Sequence, residues 1–170
     1  AFGQEVVREM NALGMMIDMS HAAESSFYDA LALSQAPIVC SHSSSRALCS
    51  HPRNLTDDQM KALAAQGGVA QVTLYHGFLR HEGEATVLDA LDHLHHMVQV
   101  MGPEHVGIGT DFDGDGGVRG LKDASELIGF TRQLLRRRYS ESDLQGIWGG
   151  NFLRVMRQVQ SSATSHLGLS

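Results

Sequence analysis

Cysteine is nearly missing from this chain. Cys40 and Cys49 are the only two in 170 residues, too few for a disulfide framework, and no Cys-x-x-Cys pair exists to hold a structural zinc. Both are expected as small buried thiols. Long apolar runs are also missing: none approaches the roughly 18 to 20 residues of a membrane span, and residues 1–19 lack a basic stretch followed by an apolar core. The stretch is therefore expected to carry neither anchor nor address, which implies a cytoplasmic location if the source is bacterial. Positive charge is in deficit, 13 Lys and Arg against 19 Asp and Glu for a net charge of −6. That balance disfavours nucleic acid or an anionic membrane as partner. The nucleotide-binding signatures GxGxxG and GxxxxGK[ST] do not occur.

What remains is an ordinary globular composition, 42% apolar and 19% charged, sized for one domain over residues 1–160 with a polar tail at 161–170. One count is high, ten histidines, and histidine is the commonest metal ligand as well as a general acid or base. Along the chain, Val6, Val7, Met10 and Leu13 have helical spacing and Gly14 stops that helix. Met15 to Met19 reads as a short buried strand, as in a parallel sheet covered by helices. A helix over 22–34 leads to a second strand, Ile38 to Cys40. Thr56 and Gln59 form a capping box for a helix to about Gln66, before a third strand from Val69 to Tyr75. Thr86 caps a longer helix stopped by Gly102 and Pro103, before a fourth strand from Val106 to Gly109. Helices over 121–138 and 142–160 follow, the second capped by Ser140.

Four buried strands separated by helices define parallel βα units, in an open doubly wound sheet or part of a (β/α)8 barrel. Without a glycine-rich phosphate turn the barrel reading gains, and four strands make half of one. Sites in such proteins gather at the carboxyl ends of strands. Here those ends carry His21, His42, Tyr75 and Asp111 in succession. Core packing alone does not produce such a set, and two imidazoles with a carboxylate suit Zn2+ better than Ca2+ or Mg2+. Asp111, Asp113, Asp115 and Gly116 imitate the start of a calcium loop, but position twelve falls on Lys122 where a Glu is required. His93, His95 and His96 cannot share one helix face and are expected at a solvated or domain edge. His76, His81 and His166 read as loop and tail residues. Arg53, beside His51 and Pro52 in a loop after the second strand, is suited to grip a carboxylate.

These residues lie in segments that resemble the membrane (renal) dipeptidases, zinc peptidases built on a (β/α)8 barrel: EMNALGMMIDMSHAAESSF, PIVCSHSSSRALCSHPRNLTDDQMKALAAQGGVAQVTLY, HVGIGTDFDGD and LLRRRYSESDLQGIWGGNFLRV. The resemblance implies that His21 and His42 bind one of two zinc ions and that Arg53 is the substrate-carboxylate ligand. It further implies that Asp111 contacts the substrate amine and handles the proton reaching the leaving nitrogen, and that Tyr75 faces the active site. The family's His-x-Asp pair and metal-bridging Glu, on earlier strands, have no counterpart, so the chain resembles the C-terminal half of the enzyme.

A two-metal site supplies the nucleophile and the oxyanion stabilisation that amide hydrolysis needs. An Arg at one end and a carboxylate at the other would select a substrate two residues long. The expected function is zinc-dependent hydrolysis of dipeptides, with partners limited to the dipeptide and either a second copy or the missing N-terminal half. Two other readings remain: a metal-dependent amidohydrolase acting on a lactam or another small amide, and a non-catalytic remnant or subunit.

Overall fold

Strand formation is confined to the most buried apolar runs. The computed structural model describes residues 2–163. In it β1 (Val39–Cys40), β2 (Val69–Val72) and β3 (Val106–Ile108) form a parallel sheet in the order β1-β2-β3. The register pairs Val39 with Val69, and Ala70 with Val106. Neighbours in sequence are thus neighbours in space, and each crossover carries helix: α3 (Asp57–Ala65) between β1 and β2, then α4 (His76–Leu79) and α5 (Val87–Met101) between β2 and β3. The helices α1 (Phe2–Leu13) and α2 (Glu24–Leu33) precede the sheet, and α6 (Leu127–Arg136), α7 (Glu141–Gln145) and α8 (Asn151–Ser161) follow it.

The caps read from sequence are present. Thr56 and Gln59 cap α3 reciprocally, Thr86 pairs with Asp89 at α5, and Ser140 with Asp143 at α7, each pair satisfying backbone N–H groups that a helix start leaves open. Behind the sheet, Met60 and Leu63 of α3 meet Leu91, Leu94 and Met97 of α5 in a cluster buried from solvent. This apolar spacing of three residues is what ties both helices to the sheet.

Four expectations need correction. The first strand, Met15 to Met19, reduces to one parallel bridge between Asp18 and Val39, held by Met19 N–H to Val39 O at 2.8 Å and Val39 N–H to Ile17 O at 2.9 Å. It pairs on one side only among the described residues, and Met15 is exposed. The third strand stops at Val72 instead of Tyr75, because the Leu74 carbonyl is taken by Gly117 N–H at 3.0 Å. A helix from 121 starts only at Leu127, after a loop closed by the bridge between Val118 and Leu121. The helix expected over 142–160 is interrupted by a π-helical turn, Gly146–Gly150, where Gly149 has a φ of 154°. Three glycines in five residues explain that break. Of the polar tail, Ser161 ends α8, while residues 164–170, with His166, lie outside the described residues. No described helix is long and apolar enough to cross a membrane.

Candidate functional site

The carboxyl edge of the sheet brings together the residues from three of the strand ends. His21 follows the bridged segment and His42 follows β1, and their Nε2 atoms stand 2.8 Å apart with ring centroids at 4.8 Å. Two nitrogens on one zinc would stand about 3 to 3.5 Å apart, so the pair is converged slightly beyond that spacing. His21 is exposed and His42 half-buried. Burial lowers the His42 pKa below its ordinary value, while the charge of Asp111 works against it.

Arg53 closes over this pair from the loop after β1. Its Nη2 donates to the His42 carbonyl at 3.2 Å and contacts His21 Nε2 at 3.3 Å, and its Nη1 donates to Ser43 Oγ at 3.2 Å. The guanidinium carbon lies 5.3 Å from the centre of the Phe78 ring, a cation–π arrangement. Arg53 Nε is buried without a hydrogen-bond partner among the described residues. Burial lowers the Arg53 pKa, and Asp111 is the largest opposing influence.

Asp111 stands past the end of β3 with a φ of 56°, a left-handed conformation that Asp tolerates better than most side chains. Its carbonyl receives N–H groups from Gly114 at 2.9 Å and Gly116 at 2.7 Å, which turns the DFDGDG loop back on itself. Tyr75 is the residue just before α4, still extended but beyond the end of β2. Its ring packs on Phe78 at 4.6 Å, so it joins the site through the aromatic under Arg53.

The other histidines divide by environment. His93 is 1% exposed, correcting the expectation of a solvated edge: its Nδ1 accepts from Ser45 N–H at 3.0 Å and its Nε2 donates to Leu79 O at 3.1 Å. Both ring nitrogens are thereby satisfied in the neutral form, and burial lowers its pKa. His95 meets the Tyr139 hydroxyl at 3.0 Å and His96 meets Asp57 at 2.8 Å. His76 lies in α4 rather than a loop. Sequence reasoning missed Asp18. Its carboxylate takes hydrogen bonds from Ser20 N–H at 3.0 Å, Ser20 Oγ at 2.7 Å and Ser41 N–H at 3.1 Å, and from Ser41 Oγ. Its surroundings would raise its pKa, but the Ser41 and Ser20 hydrogen bonds outweigh them and hold it below the ordinary carboxylate value. The available signal was a lone charge inside the apolar run MMIDM.

Two converged imidazoles with a guanidinium over them, and a carboxylate whose charge acts on both, thus stand at the carboxyl edge of a parallel sheet. The chain belongs to the membrane dipeptidase family (Peptidase family M19), whose pattern matches residues 1–167, and it is thus a metallopeptidase-family protein by homology. Among relatives, mouse Dipeptidase 3 is 43% identical over 171 residues, which take in 100% of this chain and 35% of that protein. The probable dipeptidase PvdM from Pseudomonas aeruginosa superposes with a TM-score of 0.92 at 31% identity, over 95% of this chain and 54% of that one. A metallo peptidase from Rhodobacter sphaeroides, liganded with a phosphinate mimic of the dipeptide L-Ala-D-Ala, gives a TM-score of 0.87 at 31% identity, over 92% and 46% of the two chains. The chain therefore spans about a third of that curated relative and about half of each of these solved structures.

Proposed function

We propose that this chain is the C-terminal half of a (β/α)8 dipeptidase barrel and contributes one zinc site and the substrate-gripping residues to zinc-dependent hydrolysis of dipeptides. The observation that carries the reading is the 2.8 Å approach of His21 Nε2 and His42 Nε2 beneath Arg53. Two imidazole nitrogens converged to this spacing are a donor set suited to a borderline metal. Among the described residues no group of three or more His, Cys, Asp or Glu converges to hold a metal, and a catalytic zinc takes three protein ligands. His21 and His42 would hold one zinc as two of its ligands, with the rest supplied from the other half of the barrel.

Zinc, when bound, supplies Lewis acidity toward the scissile carbonyl and a strong nucleophile at neutral pH. The chain's own residues do the rest. Arg53 binds the substrate carboxylate by charge-assisted hydrogen bonds. Asp111 holds the substrate ammonium and carries the proton that the leaving nitrogen must acquire. The Tyr75 and Phe78 rings wall the site and exclude water around Arg53. Meeting both termini at fixed separation restricts the substrate to two residues.

The test is zinc calorimetry on residues 1–170 together with dipeptide assays on the polypeptide that carries the chain with its upstream ligands. Weak zinc binding by the piece, lost in His21→Ala and in His42→Ala, with hydrolysis only in the longer polypeptide, is the expected result. Zinc affinity indifferent to both substitutions would overturn the reading.

A further inference from the structure

We propose that Asp18, acting through the Ser41 hydroxyl, sets the tautomer of His42 and aims its Nε2 at the metal position. The proposal rests on the reading of His42 as a ligand, but its direct readout does not need metal.

The argument is a count of protons. An ionised carboxylate only accepts, and a serine hydroxyl has one hydrogen to give. Ser41 Oγ makes its shortest contact with Asp18 Oδ2, so the single hydroxyl hydrogen is committed there. Ser41 Oγ also lies 2.8 Å from His42 Nδ1. With its hydrogen spent, that oxygen can only accept, and His42 Nδ1 carries the proton. A neutral imidazole protonated at Nδ1 presents a bare Nε2, and in the metal-free chain that nitrogen accepts from a protonated His21 Nε2 at 2.8 Å. The rest of the network holds Asp18 and the ring in place. Asp18 is exposed, yet Oδ1 takes three donors from Ser20 and Ser41, and Ser20 Oγ in turn accepts His42 N–H at 3.1 Å. Asp18 reaches β1 through the bridge with Val39, so a residue of the preceding segment controls the ring that follows β1. Asp18 touches no substrate and is a positioning residue. Carboxylates that orient a ligating imidazole through its second nitrogen are a general device of metal sites, and here the hydroxyl is an inserted link.

Asp18→Asn makes the sharpest test because it keeps shape and reverses direction. With the three Oδ1 donors retained, the Asn amide NH2 faces Ser41 and donates to it. Ser41 must then give its hydrogen to His42 Nδ1, leaving the proton of the neutral ring on Nε2. Imidazole 15N spectra of the metal-free chain above neutral pH are expected to show a protonated Nδ1 in the wild type and a protonated Nε2 in Asp18→Asn. Ser41→Ala should give a tautomer mixture and Ser41→Thr, which keeps the hydroxyl, the wild-type pattern. Zinc titration should show affinity about 10- to 100-fold weaker in Asp18→Asn and Ser41→Ala, and restored in Ser41→Thr. A wild-type His42 protonated at Nε2, or a tautomer unchanged by Asp18→Asn and Ser41→Ala, overturns the relay, and the wild-type spectrum decides even if a variant fails to fold. Normal zinc affinity in His42→Ala with the tautomer pattern as expected would instead overturn the ligand reading alone.

Discussion

Gly109 and Ser41 touch backbone to backbone: a Cβ at position 109 would lie 1.8 Å from the Ser41 carbonyl oxygen. No side chain fits there, so the segment leaving β3 passes directly over the end of β1. This crossing places Asp111 where its charge acts on both His42 and Arg53. Gly109→Ala must push the two segments apart. Its expected cost is at the upper end of single substitutions, about 3 kcal/mol or more, with weakened zinc binding in whatever folds. Urea denaturation and zinc titration of the variant check this, and wild-type values in both would show that the crossing is pliable.

His93 should make stability depend on pH. Its folded pKa is depressed by burial, so as pH falls below about 6.5, the ordinary imidazole value, the unfolded chain takes up a proton that the folded chain refuses. The stability is fully present above that value and declines as pH drops through it. Urea midpoints measured at pH 7.5 and pH 5.5 should show a larger loss in the wild type than in His93→Gln. His93→Ala should cost about 1 to 3 kcal/mol for each group it orphans, Ser45 N–H and Leu79 C=O.

Arg53 and Asp111 should separate kinetically in the complete enzyme. Arg53→Ala removes a charged hydrogen bond to substrate, on the order of 1.5 to 3 kcal/mol, and should appear chiefly in KM. Asp111→Asn keeps the shape but loses the proton acceptor and should appear chiefly in kcat. Steady-state assays with dipeptides check both, and unchanged constants would remove these roles.

Residues 1–170 alone should self-associate. Phe2, Leu13 and Met15 are 80%, 61% and 51% exposed, and the segment around Asp18 is an open edge on one side among the described residues, a template for further pairing. Light scattering should report species heavier than a monomer, reduced by Leu13→Lys with Met15→Lys. A stable monomer without those substitutions would contradict this.

Legibility followed locality. The helix caps at Thr56, Thr86 and Ser140 were readable because each depends on residues three apart. The site residues were readable because chemistry at strand ends needs only the order of elements. Asp18 was hidden because its partners Ser41 and His42 lie more than twenty positions away and meet it only through strand pairing. His93 was misread for the same reason, since its burial depends on the loops holding Ser45 and Leu79. The break at Gly146–Gly150 was signalled by its glycines but outweighed by the apolar periodicity on either side.

One side-chain amide carries a consequence for motion. Asn151 Nδ2 donates to the carbonyls of Pro103 and Val106, both at 2.8 Å, while Arg154 donates to Gly67 O and Glu104 O, both at 2.9 Å. The last helix is therefore pinned by its first turn to the loops that feed β2 and β3. That end cannot lift without stripping the start of β3. Slow amide exchange at the start of the helix and in β3 should thus belong to one cooperative opening unit.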